Sequence, residues 1–520
     1  MSYEYPPGSA SGRYEAMTTD RDPWLRKARE YALFTMPSLF PPEGSHGEEL
    51  TPGYQSTGSR GVKNLASKLL LALMPPNIPF YRYNLDAIDK KELAEDEAAW
   101  ADIQLTLNRL ERLGYEWLEA THVRVTAYEA LLNLLVGGNV LFRLPKDGQS
   151  RIYPLSQYVI RRSTDGSVKE IIIKEEVSKW DIPSEIIEEY GVGMEMEEPQ
   201  YGVGKNTVCI YTCYKLRDNT WYLTQEIKGR EIDDPRYKGT APKDAPEYIP
   251  MRWRKIDNSD YGNGFVEDLI GDLRSFEGLS QSITEGAAGI SKLLFMVNPN
   301  GNTNKEDLEK PNLSVIDGKA EDVTALQAGK SMDLSFAKQH ADSLDRALQI
   351  QFLLNTAVQR NAERVTAEEI RYVAQELENT LGGQYSLLSL EFQVPIVRRT
   401  EVILRSQGKF PQNLPPPIKL KIIAGLDALG RGHELNNLEG FVKDIETTFG
   451  QGSAERYINV DDYLKKVAAA RGIETMGLVK TPEERQAEAQ AQQQAQINQS
   501  VAPEAARAAF AEPATGQPTQ

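Results

Sequence analysis

The sequence predicts an α+β protein that is mainly helical, and three observations support this fold class. Turn residues alternate with β-branched runs between about residues 150 and 256, which indicates strands. After Tyr261 the apolar residues follow a helical period almost to the end of the chain. The length of 520 residues is enough for a large buried core, and at about 150 residues per domain it predicts three or four domains.

The charge of the chain limits the partners that it can bind. It contains 59 Lys and Arg residues against 75 Asp and Glu residues, a formal net charge of −16. A surface with this balance repels phosphate, so any contact with nucleic acid must be local. The longest apolar run, Ala130 to Phe142, contains polar and glycine residues and is too short for a membrane span. The N-terminus carries no secretion signal, so we expect synthesis in the cytoplasm.

The first half of the chain begins with helical patterns. Helices are expected over residues 21–40 and 56–74, and two more over residues 92–142. The helix over 56–74 is amphipathic, and Pro75 and Pro76 end it because proline has no amide hydrogen to continue the ladder. These helices should supply one layer of the core.

Strand patterns follow from about residue 150. Asp165-Gly166 lies between two β-branched runs, which is a strong hairpin signal. Further strand-like runs occupy residues 206–216, 220–227 and 248–256, separated by loops rich in proline and glycine. The first half is therefore predicted to be α+β.

A long helix is predicted over residues 265–296. Its apolar stripe repeats at steps of four and three, and consists of Leu269, Leu273, Phe276, Ser280, Ile283, Ala287, Ile290 and Leu294. On the opposite face Gly271, Gly278 and Gly289 fall almost in line, with Gly286 close beside them. Each glycine costs roughly 1 kcal/mol relative to alanine inside a helix. Either the helix is broken into shorter ones, or it packs on both faces, as a helix in a closed ring must.

Two segments after this helix are polar excursions between helices. Residues 297–335 are rich in turn residues, with a possible short strand from Leu313 to Ile316. A second helix is predicted over 336–355, in which His340 is a packed or surface residue rather than a metal ligand. A short loop over 356–365 then joins it to the next helix.

The last third of the chain is predicted to be helical. Thr366 and Glu369 form a capping box for a helix that runs to about residue 407, with kinks at Gly382-Gly383 and at Pro395. Shorter helices are expected over 415–475. The final forty residues are rich in Ala and Gln, and are either disordered or form a helix over about 482–498 that copies of itself stabilise.

Catalytic and metal-binding patterns are missing from the sequence, so no enzyme activity and no cofactor are expected. Cys209 and Cys213 lie on one predicted strand, where four residues span about 13 Å. That is too far for a disulfide. The four histidines are scattered, which argues against a metal site. The segment Gly329-Lys330-Ser331 ends like a P-loop, but Thr324 replaces its first glycine and no convincing strand precedes it. A turn followed by a helix start is favoured there.

Three short basic clusters deserve comparison with nucleic-acid binders. They are Arg161-Arg162, Arg252-Trp253-Arg254-Lys255 and Arg398-Arg399. The second interleaves an aromatic residue as a single-strand binder does. A strand with an exposed cationic edge is the favoured interpretation.

The sequence resembles the portal, or head-to-tail connector, proteins of short-tailed bacteriophages of the podovirus type. The most specific stretches are YGNGFVEDLIGDLRSFEGL, then NPNG, then LNTAVQRNAERVTAEEIRYVAQELENTLGGQYSLLS. Supporting stretches are SRGVKNLASKLLLALMPPNIPF, EALLNLLVGGNVL, YVIRRSTDGSVKEI and GLDALGRGHEL. They cover most of residues 20–440 in order, without the first twenty residues or the Ala/Gln tail.

The resemblance implies a ring of twelve subunits at one capsid vertex, with regions named wing, stem, clip and crown. The regions it implies are 1–260 as an α+β wing, 261–296 as a stem helix, 297–335 as the clip, 336–355 as a second stem helix, 356–365 as the tunnel loop, 366–407 as a long kinked wing helix, 408–475 as the crown, and 476–520 as a C-terminal tail with a possible barrel helix.

The resemblance also implies partners and a location. Double-stranded DNA would pass through the ring with non-specific, transient contact, during both packaging and ejection. The protein partners would be the terminase large subunit, tail adaptor and nozzle proteins, major capsid and scaffold proteins, and internal core or ejection proteins, with no membrane. The chain would reside at the portal vertex of the virion, and in the host cytoplasm during assembly. ATP hydrolysis would belong to the terminase, which explains the missing active site.

The resemblance places candidate DNA-contacting residues in the tunnel loop. They are Gln359, Arg360, Asn361, Glu363 and Arg364. Either the two arginines contact phosphates while the loop acts as a valve, or one of them pairs with Glu363 or a neighbouring subunit and only holds the shape of the loop. The stem glycines Gly271, Gly278, Gly286 and Gly289 are the candidate subunit contacts. A helical tail adaptor or scaffold protein is the alternative function, and a packaging ATPase would depend on the Gly329-Lys330-Ser331 motif alone.

Overall fold

The computed structural model shows a protein of mixed helix and strand. The chain divides into two compact units, residues 1–428 and 429–520, which are described separately. The structure describes residues 6–42, 50, 53–76, 79–85, 97–190, 207–290, 294–300, 315, 319–326, 331–354, 376–377, 380–410, 418–422, 430–450, 454–458, 460, 463–464 and 467.

Four helices form the N-terminal part of the first unit: α1 (Ala10–Leu33), α2 (Thr57–Leu73), α3 (Glu97–Ala120) and α4 (Val123–Gly137). Three of them confirm the predicted helices, and α2 ends just before Pro75 as expected. Helix α1 begins well before the predicted residue 21, because its first turn has two acceptors. The Ser9 hydroxyl accepts the Gly12 amide hydrogen at 3.0 Å, and the buried Glu226 carboxylate accepts that of Ala10.

An antiparallel sheet follows these helices. Its strands are β4 (Tyr158–Arg162), β5 (Val168–Ser178), β6 (Thr207–Arg217) and β7 (Thr220–Ile227), and both β8 (Arg230–Glu231) and β9 (Gly239–Pro242) pair with β7. The predicted hairpin is confirmed: Gly166 in the β4–β5 turn has φ +84°, and the Asp165 carboxylate accepts the Ser167 amide hydrogen at 2.8 Å.

A smaller sheet orders its strands β10 (Tyr248–Arg252), β2 (Asn139–Arg143) and β3 (Arg151–Pro154). Residues 139–142 were expected to continue a helix. Instead α4 ends at Gly138, whose φ of +75° is the left-handed conformation that glycine adopts freely, and the chain turns into β2.

The main core surrounds the second half of α4, where every residue from Ala130 to Gly137 is buried. A helix that is apolar all round belongs at the centre of a protein. Helix α2 packs beside it through Val62, Leu65 and Leu69, and the β2 residues Val140 and Phe142 close the other side. Two smaller clusters lie on the sheet, one under α1 and one around the short helix α5 (Ser184–Glu189).

A pair of long helices leaves this core: α6 (Ile270–Ile290), preceded by a 3-10 turn over Val266–Leu269, and α7 (Ser331–Gln351). The predicted helix over 265–296 was too long at its end, because Leu294 begins strand β11 (Leu294–Val297), which pairs with β12 (Val323–Leu326). Helix α7 begins before the predicted residue 336. Within the predicted strand Leu313–Ile316 only Val315 is described, and it is exposed and not in a strand.

The predicted kinked helix is confirmed in its second half. Gly382 interrupts it with φ +43°, and α8 (Gly383–Leu388) follows. A π-helical turn over Ser389–Gln393 then precedes α9 (Val394–Ser406), which has Pro395 in its first turn. The capping box at Thr366 and Glu369 lies outside the described residues.

Residues 418–422 form a strand rather than the predicted helix. This strand, β13 (Ile418–Ile422), pairs antiparallel with β1 (Tyr81–Leu85). The alternating pattern IKLKI is compatible with a strand, but its partner is more than 300 residues away.

The second unit contains α10 (Gly430–Phe449) and α11 (Ala454–Tyr457), so the predicted helical character there is confirmed. The Phe449 and Tyr457 ring centroids lie 5.3 Å apart. The predicted helix over 482–498 lies outside the described residues.

Candidate functional site

Helices α6 and α7 pack against each other through their inner faces. Leu273 of α6 and Leu348 and Ala341 of α7 are buried there. Gly286 lies against the partner helix, because a Cβ atom added to it would be 3.1 Å from the Leu334 Cδ1 atom. The first half of the predicted apolar stripe of α6 therefore packs inside the subunit.

The base of α6 is fixed to the N-terminal helices by charged contacts. Lys27 of α1 forms an ion pair of 3.0 Å with Glu267, and Glu30 forms another with Arg274. The Glu277 carboxylate accepts the Tyr54 amide hydrogen at 2.6 Å. The α6 helix is thus oriented by the rest of the subunit rather than by α7 alone.

The outer face of α6 consists mostly of small residues, with the exposed Glu285 as a larger side chain two turns after Gly278. Gly271, Gly278 and Gly289 have no neighbouring atom within 4 Å of a hypothetical Cβ. Between them, Ser275 donates its hydroxyl hydrogen back to the Gly271 carbonyl at 2.9 Å, and Ser282 does the same to Gly278 at 2.8 Å. This face therefore offers a close approach to another backbone with its serine hydroxyls already bonded.

The outer face of α7 has the opposite character. Met332, Phe336 and Ile350 leave 83%, 74% and 61% of their surface exposed. They share one face of the helix, with Phe336 four residues after Met332 and Ile350 four turns further along. Large apolar side chains aligned in this way mark an interaction surface more often than isolated ones do. His340 is an exposed helix residue, as predicted.

The C-terminal end of α7 is held by α2. Asn64 donates from its Nδ2 atom to the Phe352 carbonyl at 3.1 Å and to the Leu353 carbonyl at 3.0 Å. The buried Lys68 ammonium donates to the Leu353 carbonyl at 2.9 Å and to the Glu376 carboxylate at 3.0 Å. Lys68 therefore bonds to residues that precede and follow the predicted tunnel loop in the chain, Leu353 and Glu376.

The predicted loop residues Gln359, Arg360, Asn361, Glu363 and Arg364 lie outside the described residues. The anchoring role of Asn64 and Lys68 was not predicted from the sequence. The signal was present, because Lys68 interrupts the apolar face of α2 between Leu65 and Ala72. A charged residue at such a position needs a partner inside the fold.

The basic clusters turn out to be partly internal. Trp253 is fully buried, and Arg252 is buried in an ion pair with Glu391, so the exposed cationic edge predicted for residues 252–255 is wrong for its first half. Arg399 donates to the Leu144 carbonyl at 3.1 Å and contacts Glu247 at 3.2 Å. Buried cations that are paired in this way contribute to the fold.

The described residues show little that resembles catalytic chemistry. They contain no group of three His, Cys, Asp or Glu side chains arranged to hold a metal ion. Cys209 and Cys213 are free thiols, and burial raises the pKa of Cys213 to about 11. The predicted helix start at Ser331 is confirmed, but strand β12 does precede the Gly329-Lys330-Ser331 motif, contrary to expectation. None of the described helices is long and apolar enough to cross a membrane.

Comparison with known proteins identifies the family. The family described as bacteriophage head to tail connecting protein matches residues 8–479. The chain is 36% identical to the portal protein of Escherichia phage T7, over 98% of this chain and 95% of that protein. It is 35% identical to the portal protein of Enterobacteria phage T3, over 92% of this chain and 89% of that protein. It is also 29% identical to the portal protein of Pseudomonas phage phiKMV, over 90% of this chain and 91% of that protein. The chain belongs to the portal, or head-to-tail connecting, proteins of podovirus-type bacteriophages.

Proposed function

We propose that twelve copies of this chain form a ring at one capsid vertex and that double-stranded DNA passes through the ring during packaging and ejection. The observation that carries the proposal is the pair α6 and α7, whose outer faces differ in shape and remain unpaired within the described residues of one subunit. The chain would be a structural component of the virion rather than an enzyme.

The two outer faces are suited to meet each other in neighbouring copies. Gly271, Gly278 and Gly289 form a groove, and Phe336 and Ile350 protrude from the other side of the helix pair. A contact between two different surfaces of identical subunits is heterologous, and it closes into a ring when the rotation per subunit divides a full turn. The stem is therefore proposed over residues 261–296 and 336–355.

The remaining regions receive proposed roles from the same family. Residues 297–335 would form the clip that meets the terminase large subunit and later the tail adaptor and nozzle proteins. The wing, residues 1–260 with 366–407, would contact major capsid and scaffold proteins. The crown over 408–475 and the tail over 476–520 would face the internal core or ejection proteins inside the capsid.

The net charge of −16 supports conduction rather than tight binding of DNA. A duplex does not adhere to a mostly acidic channel, because binding to DNA depends on cations that neutralise its phosphates. We propose that Arg360 and Arg364, with Gln359 and Asn361, supply the few phosphate contacts, and that Glu363 lies beside them. Lys68 and Asn64 would fix the base of this loop.

Negative-stain imaging of the purified protein tests the ring. Rings with a hole wide enough for duplex DNA are expected, and their absence would favour a helical tail adaptor or scaffold protein. Gly278→Leu should prevent ring formation because the added side chain fills the groove on α6. Thr284→Leu is the matched control, since Thr284 is exposed on the same helix away from the glycine face. Equal ring yields for both variants would contradict the proposed interface.

Packaging assays test the loop residues. Replacing both Arg360 and Arg364 with alanine should leave rings intact and reduce DNA packaging or genome retention. If packaging and retention both match the wild-type protein, the two arginines only maintain the shape of the loop.

A further inference from the structure

A polar cavity lies where the β4–β5 turn meets the loop that follows β10. It has a volume of about 380 Å³, and its lining includes Arg162, Gly166, Arg252, Lys255 and Asp260. Three cationic side chains therefore converge on one small space of the wing region. The described residues give this cavity no role in the packing of the subunit.

Arg252 is buried at the back of the cavity. Its Nε and Nη2 atoms donate to the Glu391 carboxylate, and only 4% of its side-chain surface is exposed to solvent. Its third donor group, Nη1, is buried without a hydrogen-bond acceptor among the residues that the structure describes. An unsatisfied buried donor is costly, and a charged one more so, so Arg252 adds a positive charge behind the cavity that Glu391 compensates only incompletely.

Arg162 is held rigidly beside it. The Arg162 guanidinium donates to the carbonyls of Gly166, Pro250 and Asp260 at 3.1–3.2 Å. Burial lowers the pKa of Arg162 to about 10, and repulsion from Arg252 adds to this decrease against the attraction of Glu391. The positive charge of the pair is therefore only partly compensated, and an anion nearby would stabilise it.

Lys255 completes the cationic set at the exposed side of the cavity. Its Nζ atom lies 3.2 Å from the position of a Cβ atom on Gly166, so the glycine keeps the space beside the ammonium group open. Three cations, Arg162, Arg252 and Lys255, face two carboxylates, Glu391 and Asp260, which leaves an excess of one positive charge. Neutral polar side chains of the lining surround the same space, namely Ser163, Thr164, Asn258 and Ser259.

We propose that this cavity binds a phosphate-type oxyanion. The cationic and neutral donors come from a strand end, a turn and a loop, so they surround the space from several directions. A tetrahedral oxyanion, with oxygens on all sides, uses such an arrangement better than a planar carboxylate does. Free phosphate and the phosphate groups of DNA share this chemistry, and the experiment below separates them.

The test is the thermal unfolding of the full-length assembled protein titrated with inorganic phosphate at constant ionic strength. A saturable rise in the melting temperature is expected for the wild-type protein. Lys255→Glu should weaken the apparent affinity about tenfold or more, since it reverses the charge at the mouth of the cavity. Arg161→Glu is the matched control, because Arg161 is exposed on the neighbouring position of β4 and does not line the cavity.

The result can overturn the proposal in two ways. Either the wild-type protein shows no saturable response to phosphate, or Lys255→Glu and Arg161→Glu respond to it alike. Once binding is established, a short DNA duplex that competes with phosphate would identify DNA as the source of the oxyanion. A duplex that does not compete would identify free phosphate.

Discussion

Glycine residues have opposite surroundings in two regions of this molecule. Around α2 and α4 the space beside each glycine is filled: Phe352 packs on Gly61, Phe40 on Gly137, and the backbone of residues 262–264 on Gly138. Along α6 the space beside Gly271, Gly278 and Gly289 is open. The same residue type permits close packing within the subunit in one region and leaves a groove on its surface in the other.

This difference shows that packing is complete in the core and one-sided in the helix pair. Leu273 and Leu348 finish the inner faces of α6 and α7, whereas Phe336 and Ile350 remain exposed on the outside. A helix that keeps Gly271, Gly278 and Gly289 open at a cost of roughly 1 kcal/mol each must recover that stability elsewhere. The proposed contact between neighbouring copies would supply it.

Replacing glycine by alanine tests the difference between these two regions most directly. Gly138→Ala should destabilise the subunit by about 2–6 kcal/mol, because Gly138 has φ +75° and a methyl group would collide with the backbone of Asn263 and Gly264. Gly278→Ala should stabilise the isolated subunit by up to about 1 kcal/mol. Urea unfolding measures both changes, and destabilisation by Gly278→Ala would mean that its groove is already filled.

The buried ion pair tests how strongly the core depends on contacts far apart in the sequence. Arg252→Met should cost about 3–5 kcal/mol, because it leaves the Glu391 carboxylate without its main cation. Arg236→Ala is the control: Arg236 pairs with Asp234 on the surface, where solvent screens the pair, and its loss should change stability very little. Urea unfolding of both variants should separate them clearly, and similar midpoints would show that the buried pair contributes little.

Substitutions at two residues of α7 should distinguish an effect on folding from an effect on assembly. Leu348→Ala should cost about 2–5 kcal/mol in the isolated subunit, because the side chain is fully buried. Ile350→Ala, two residues away on the exposed face, should change subunit stability by less than about 0.5 kcal/mol and yet reduce the yield of rings. Denaturant unfolding and sedimentation of the assembled protein report these two effects. Normal assembly by Ile350→Ala would remove this residue from the proposed interface.

A further expected effect concerns pH. Burial raises the pKa of Cys213 to about 11, whereas the thiol in the unfolded chain keeps a value near 9.0. Between these values the unfolded state loses its proton and the folded state retains it, so stability should fall as the pH rises from about 9 to 11. The unfolding midpoint of Cys213→Ala should decline less steeply over this range, and an identical decline in both proteins would contradict the prediction.

Local patterns explain why much of the fold could be predicted. Helix α2, the Asp165-Gly166 hairpin and strand β6 depend on periodicity and turn chemistry within about twenty residues, and all three were found where expected. The break at Gly382 and the π-helical turn before Pro395 follow equally from single residues. The alignment of Gly271, Gly278 and Gly289 on an open face of α6 was predicted in the same way, but Gly286, predicted beside them, lies against Leu334 of α7.

Features that depend on distant partners could not be predicted. Strand β13 exists because β1 pairs with it, and α1 begins early because Glu226, more than 200 residues away, accepts the hydrogens of its first turn. The burial of Arg252 depends on Glu391, which lies 139 positions further along the chain. The exposed face of α7 could not be predicted, because Met332 and Phe336 are apolar residue types that also occur on core-facing helix surfaces. Only the position of the helix in the fold decides which of its faces is covered.

The exposed apolar side chains of α7 also affect how quickly newly made subunits need to assemble. Each newly made subunit carries Met332 and Phe336 on its surface before it meets another copy. Pairing with a correct partner is a second-order process, so its rate falls with subunit concentration, while capture by other apolar surfaces competes with it throughout. Rapid synthesis of many copies in one place would therefore favour contact between copies over capture by the apolar surfaces of other proteins.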